Sequence, residues 1–196
     1  VVHLRQVSDE KLSWIPSKLK THILEQYQTL LKFINHRTSR IVLFNVFISG
    51  IVMTVPDTYL YIALERSYGA SRRFSGFCTT VSIISVMPLF WYSDHLIKRF
   101  GHFELIFVSQ LAGVFRLFLY FLVPVDGGNY SLNLILLIQL MHGFHFALFW
   151  AAVVDLIYKI SPKDLITSCL STVNIVFFTL AASVGNLICG PAYDLW

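Results

Sequence analysis

Charged residues are scarce in this chain of 196 residues. Asp, Glu, Lys and Arg together make up 13% of the sequence, whereas hydrophobic residues make up 56%. Globular proteins carry roughly 25% charged residues, so this chain has too few to cover a water-facing surface. The 17 Phe residues also exclude a disordered, collagen-like or coiled-coil chain. The composition therefore predicts a helical protein that crosses a membrane several times.

Cysteine is scarce as well. Cys78, Cys169 and Cys189 lie in apolar stretches, without CxxC spacing or the spacing of a Cys/His metal site. Three scattered cysteines exclude a disulfide-stapled secreted domain. We therefore interpret them as small apolar core residues and expect no metal and no cofactor.

Motifs of soluble enzymes and of nucleic-acid-binding proteins are missing too. The sequence has no GxSxG, HExxH, Walker A or GxGxxG motif, which predicts that the protein is not an enzyme. The formal net charge is +4, but no basic stripe is interleaved with exposed aromatic residues, so we expect no nucleic-acid partner. Residues 1–16 also lack the apolar core of a secretory signal.

Five apolar stretches approach or exceed the length of a membrane-spanning helix. A hydrocarbon core about 30 Å thick requires about 20 residues of helix. The predicted spans are residues 41–64, 74–92, 104–124, 131–158 and 165–190. The sequence therefore predicts an all-α membrane protein embedded in the lipid bilayer, with its two ends on opposite sides.

The distribution of basic residues predicts the orientation. Eleven Lys and Arg lie in the N-terminal segment and in the loops at 93–103 and 159–164, against three in the other loops. Cytoplasmic loops carry the excess of Lys and Arg. We expect a multi-pass protein with a cytoplasmic N-terminus; the type of membrane is left open.

The segment before the first span has a helical pattern. In residues 17–35, Leu19, Ile23, Tyr27 and Leu30 recur at helical spacing with charged residues between them. This favours an amphipathic helix along the cytoplasmic interface, within a cytoplasmic segment at residues 1–40. Packing of the helix on a soluble partner is the alternative.

Four ionisable residues stand out deep inside the predicted spans. A charge at the bilayer centre costs about 2.5–3.5 kcal/mol on insertion scales, so such residues face protein or water. At about 1.5 Å per residue, Asp57, Arg116, His142 and His145 fall within a slab about 6 Å deep. Their shared depth predicts a cavity that binds substrate or moves protons. A plain ion pair between Asp57 and Arg116, and histidines satisfied by neighbouring helices, remain open alternatives.

Other polar and small residues have simpler interpretations. Asn174 lies deep in the fifth predicted span, where it would line a cavity or bond across helices. Asp155 precedes Lys159 by four residues, which favours a structural ion pair on one helix, with a gate contact as the alternative. Ala181 and Gly185 form a small-xxx-small pair, which predicts tight packing on another helix.

The loop after the second span resembles a signature of the major facilitator superfamily. It reads PLFWYSDHLIKRFGH from Pro88 to His102, with an acidic residue, a basic pair and a turning glycine in order. This resemblance implies that Asp94, Lys98 and Arg99 form a cytoplasmic conformational latch.

Further stretches in order strengthen the resemblance. They lie at residues 116–120, 139–152, 161–162 and 185–194. Together they resemble the C-terminal half of the lactose-permease/nucleoside-symporter-like branch, which contains the major facilitator domain-containing protein 6 group. Residues 17–196 would match the central loop and the seventh to eleventh helices, so an N-terminal six-helix half and a twelfth helix would lie outside this chain.

The resemblance implies half of an alternating-access secondary transporter, in which two helical bundles rock around a midplane site. Its partners would be a small-molecule solute and the N-terminal six-helix half or a partner subunit. Members of this branch often carry a glutamate just before the proline at Pro88, where this chain has Val86 and Met87, which leaves Asp57 as the acid for proton coupling. The rival hypothesis is a transport-inactive scaffold, receptor or structural subunit of a larger membrane complex. In the transporter hypothesis the cavity residues are Asp57, Arg116, His142, His145 and Asn174.

Overall fold

The computed structural model describes residues 27–194, and within this part of the chain every regular element is helical. Five helices there are long and apolar enough to cross a membrane. They are α1 (Arg37–Arg66), α2 (Arg72–Phe100), α3 (His102–Phe121), α4 (Asn129–Ile160) and α5 (Lys163–Pro191). The predicted fold class, all-α with five membrane-spanning helices, is confirmed.

The segment before α1 is helical at residues 27–35, and a bend at His36 separates it from α1. The side chain of Phe33 is buried in the core of the bundle, whereas Tyr27 and Leu31 are exposed. The remainder of the predicted amphipathic helix, residues 17–26, lies outside the described residues.

Short connections make consecutive helices antiparallel. Gly101 alone separates α2 from α3, and its φ of +90° is a backbone conformation that side chains disfavour. In the loop after α1, the Tyr68 hydroxyl donates a hydrogen bond to the carbonyl oxygen of Val123, in the loop after α3, at 3.2 Å. Burial raises the pKa of Tyr68, which keeps this donor protonated. The two loops therefore lie together at one end of the bundle.

Small residues set the closest helix crossings. A Cβ atom placed on Gly50 of α1 would lie 2.5 Å from the Cβ of Ala181 on α5, and one on Gly185 would lie 2.9 Å from Thr54. The predicted tight packing of Ala181 and Gly185 on another helix is confirmed, and that helix is α1.

Two helices contain π-helical turns, and a turn residue interrupts α4. The π-helical segments are Val55–Tyr59 in α1 and Ile175–Ala181 in α5. Pro56 lies in the first of them, and since proline has no N–H it cannot complete the regular helical ladder there. In α4 a single turn residue, Leu140, separates Asn129–Gln139 from Met141–Ile160. Such interruptions in spans are tolerated where other protein groups satisfy the freed backbone.

Apolar side chains fill two clusters in the bundle. The larger joins α1, α4 and α5 through residues such as Val46, Phe149 and Phe177. Cys169 belongs to it and Cys78 to the smaller cluster, and both thiols are fully buried, so their interpretation as core residues is confirmed. Cys189 is half-buried.

Candidate functional site

A buried arginine organises a polar cluster between α3 and α4. Arg116 is only 2% exposed. Its Nη2 donates to the Gln139 Oε1 at 2.7 Å, its Nε donates to the Tyr120 hydroxyl at 3.2 Å, and its Nη1 lies 3.1 Å from His142 Nδ1. Burial of a charge is tolerated only when hydrogen bonds replace its lost hydration, and these three neutral side chains supply them.

Gln139 connects this cluster to α2. Its Oε1 also accepts hydrogen bonds from the Tyr120 hydroxyl at 3.2 Å and from the Ser82 hydroxyl at 3.0 Å. Its Nε2 is buried and has no hydrogen-bond partner in the part of the chain that the structure describes. Gln139 directly precedes the turn residue Leu140, so the interruption in α4 lies beside the network.

Arg116 has no carboxylate within ion-pair distance among residues 27–194. Asp57 on α1, the predicted partner, is not within that distance of it. The alternative of a direct ion pair between the two is therefore not what the structure shows. His142 connects them, because it contacts Arg116 and lines the same groove as Asp57.

This groove lies between α1, α4 and α5 and has a volume of about 250 Å³. Its polar side chains include Asp57, Thr58 and His142. Its aromatic wall consists of Phe146, Phe177 and Phe178. Both π-helical segments contribute residues to it, so the groove lies where α1 and α5 depart from regular helical geometry.

Aromatic rings continue from the groove along α4. The rings of His142 and Phe146 stack at 5.5 Å with an interplanar angle of 12°, and those of Phe146 and Trp150 stack at 6.2 Å and 8°. The i, i+4 spacing on one helix face produces this ladder. Phe177 of α5 closes it from the side, 5.1 Å from Trp150. The ladder fixes the orientation of the His142 ring.

Three of the predicted cavity residues do not line this groove. Arg116 is linked to it through His142. His145 is 2% exposed, and its ring packs on Gly113 of α3, where a Cβ would come within 2.7 Å. Its Nε2 has no hydrogen-bond partner within the described residues. Asn174 is exposed on α5 and does not line the groove. The structure therefore places Asp57 and His142 in the groove, with Arg116 in contact with His142, and leaves His145 and Asn174 outside it.

At the connection between α2 and α3, the predicted latch residues form local contacts. Lys98 Nζ lies 2.6 Å from Asp94 Oδ2, one helical turn away, and both side chains are about three-quarters exposed. The Arg99 guanidinium lies over the ring of Phe100, 5.3 Å from its centre. A latch function for these residues stays a prediction.

A second charged cluster joins the start of α3 to the end of α4. Asp155 Oδ2 lies 2.7 Å from Lys159 Nζ, which confirms the predicted ion pair on one helix. The same oxygen lies 2.7 Å from His102 Nε2. The link to His102 was not predicted, since nothing in the sequence indicates which helix ends meet.

Comparison with known proteins finds a family match and a curated relative. The sequence profile of the MFS_1 like family matches residues 3–196. The chain is also 25% identical, over 174 residues, to the "Uncharacterized transporter YwbF" of Bacillus subtilis (strain 168), a match that covers 89% of this chain and 40% of that protein. The chain therefore spans less than half the length of this curated relative. No solved structure matches it.

The five apolar helices and the profile match indicate a multi-pass membrane protein. The finer placement in the lactose-permease/nucleoside-symporter-like branch stays a prediction. Because the profile match extends over almost the whole chain, the chain belongs to the MFS_1 like family within the major facilitator superfamily.

Proposed function

We propose that this chain forms one side of the solute pathway of an alternating-access secondary transporter for a small solute. The observation that carries the proposal is the groove at Asp57 and His142, backed by the buried Arg116. Ionisable side chains within membrane spans are costly and are typical of substrate or ion pathways. Transporter sites are commonly built where spanning helices are interrupted, as α1 and α5 are at this groove.

The other side of the pathway would come from helices that this chain does not contain. The groove is open on the surface of the five-helix bundle, and a solute held there needs a second wall. We assign the five helices to the seventh to eleventh of a twelve-helix transporter, with an N-terminal six-helix half or a partner subunit opposite them. Reconstituted alone, residues 1–196 are expected to show no solute uptake above that of empty vesicles.

The proposed orientation places the N-terminus in the cytoplasm. The loop at 122–128 would then lie outside, and the connection between α4 and α5 would lie inside. In a variant without native cysteines, a membrane-impermeant thiol reagent applied to right-side-out vesicles should label Asp126→Cys and leave Lys163→Cys unlabelled. The opposite labelling pattern would reverse the topology.

Alternating access predicts that the groove is reached from both sides of the membrane. We expect a cysteine at Thr58, in the complete gene product, to react with an impermeant thiol reagent from either side. A cysteine at Phe118, which is exposed on α3, is the matched control and should be shielded by lipid from both sides. Reaction of Thr58→Cys from one side only, whatever the conditions, would favour the transport-inactive scaffold.

Proton coupling belongs to the same proposal, with Asp57 as the acid that carries the proton. An inward proton gradient should then drive uptake by the complete gene product, and Asp57→Asn should abolish this dependence. If uptake by Asp57→Asn still responds to the proton gradient, a group other than Asp57 carries the proton.

A further inference from the structure

We propose that the groove between α1, α4 and α5 binds small organic cations that carry a flat ring, such as aryl-alkyl ammonium ions. This inference rests on the proposed function and names the chemical class of its solute. The groove offers a carboxylate at one part of its wall and an aromatic surface at another.

The carboxylate is available to a ligand. Asp57 lines the groove and is exposed. Within residues 27–194 it takes part in no hydrogen bond or ion pair of contact distance. An ionised carboxylate only accepts hydrogen bonds, so its partner must be a donor. A positively charged donor adds Coulomb attraction to the hydrogen bond. An ammonium group is therefore the favoured partner.

The aromatic wall favours the same ligand. Phe178 lines the groove and is 57% exposed, and the buried Phe177 approaches it in an edge arrangement with ring centres 4.8 Å apart. Ring faces carry negative electrostatic potential and attract a cation within about 6 Å of the ring centre. They also stack with a flat ring in the ligand. A cation with an attached ring therefore satisfies both parts of the groove.

Arg116 does not reverse this preference, although it is positively charged. It is 2% exposed, and its Nε, Nη1 and Nη2 atoms already contact Tyr120, His142 and Gln139. Arg116 is not among the residues that line the groove, whereas Asp57 is. A ligand would thus contact the Asp57 carboxylate directly, whereas the His142 ring would separate it from the Arg116 guanidinium. Because Coulomb interactions weaken with distance, the attraction to Asp57 outweighs the repulsion from Arg116.

The size of the groove on this side of the pathway guides the choice of probe. Its volume of about 250 Å³ suits a single ring with a short amine arm. The matched probes are 2-phenylethylamine, 2-phenylethanol and phenylacetate, which share the ring and differ in charge.

The test measures binding of tritiated 2-phenylethylamine to the complete gene product in lipid nanodiscs, with the other two compounds as competitors. We expect the cation to bind at least about tenfold more tightly than the neutral and anionic probes, as a charged hydrogen bond of about 1.4 kcal/mol or more implies. Asp57→Asn should remove that preference, whereas Asp126→Asn, in an exposed loop, should keep it.

The outcomes separate this inference from the proposed function. Equal or tighter binding of 2-phenylethanol or phenylacetate, or an unchanged preference in Asp57→Asn, would overturn the cation assignment. So would absence of binding by the amine. If Thr58→Cys is still reached from both sides of the membrane in that case, the transport pathway stands and only its ligand class is wrong.

Discussion

Substitution of Gly143 by alanine should weaken the contact between α2 and α4 that holds the Arg116 network in place. A Cβ on Gly143 would collide with the carbonyl oxygen of Ser85 and lie 2.7 Å from its carbonyl carbon. The Gly143 N–H also donates to the Ser85 hydroxyl at 3.1 Å. Because the collision is with backbone, no side-chain rotation relieves it, and the two helices must separate.

Two destabilising effects and one stabilising effect set the change in the free energy of unfolding. Overpacking of this kind costs typically 1–3 kcal/mol, here about 3 because backbone must move. The lost hydrogen bond adds about 0.6 kcal/mol, the average for hydrogen bonds between spanning helices. The higher helix propensity of alanine returns about 1 kcal/mol. The free energy of unfolding should therefore fall by about 2–3 kcal/mol.

Gly76→Ala in α2 is the matched control. A Cβ at Gly76 meets no atom within 4 Å, so alanine should leave stability unchanged or raise it by about 1 kcal/mol. The assay is SDS titration of the complete gene product in bicelles, followed by far-ultraviolet circular dichroism. If Gly143→Ala unfolds no earlier than Gly76→Ala, the proposed contact between α2 and α4 is refuted.

Three further predictions concern charged groups. Asp57→Asn and Arg116→Gln should be non-additive in a double-mutant cycle of folded yield and transport, with a coupling of about 1 kcal/mol or more, whereas additive losses would refute electrostatic compensation. Asp155→Asn should lower the unfolding free energy by about 0.5–1 kcal/mol, because the pair with Lys159 is partly exposed and screened, and high salt should remove the effect. Asp94→Asn should leave stability within about 0.5 kcal/mol but shift the accessibility of Thr58→Cys toward one side of the membrane. Unchanged accessibility would contradict the latch.

The architecture was predictable from the sequence because membrane spans leave a strong signal. About 20 apolar residues in succession have few structural solutions in lipid, and five such stretches predicted five helices. Their interruptions left a weaker signal. Pro56 indicated a disturbed helix in α1, but nothing comparable marks the π-helical segment Ile175–Ala181 or the turn at Leu140.

The candidate site was predictable only in part. The cost of charge in lipid singled out Asp57, Arg116 and His142, and helical rise placed them at one depth. Depth does not fix which way a side chain points around the helix axis, and for this reason His145 and Asn174 were expected in the same cavity. Gln139 and Tyr120 were missed as members of the network because neutral polar residues in spans are inexpensive, and only the fold shows that they surround the guanidinium.

Solute uptake by a variant whose groove is filled is the direct test of the proposed solute pathway. Thr58→Trp places an indole ring in the groove. Phe118→Trp is the control, because it places the same ring on the exposed face of α3, away from the groove. Proteoliposomes of the complete gene product would be assayed against a panel of small solutes that includes 2-phenylethylamine. We expect the native protein to show saturable uptake, which Thr58→Trp abolishes and Phe118→Trp preserves. Uptake that Thr58→Trp leaves intact, or no uptake of any solute by the native protein, would contradict it.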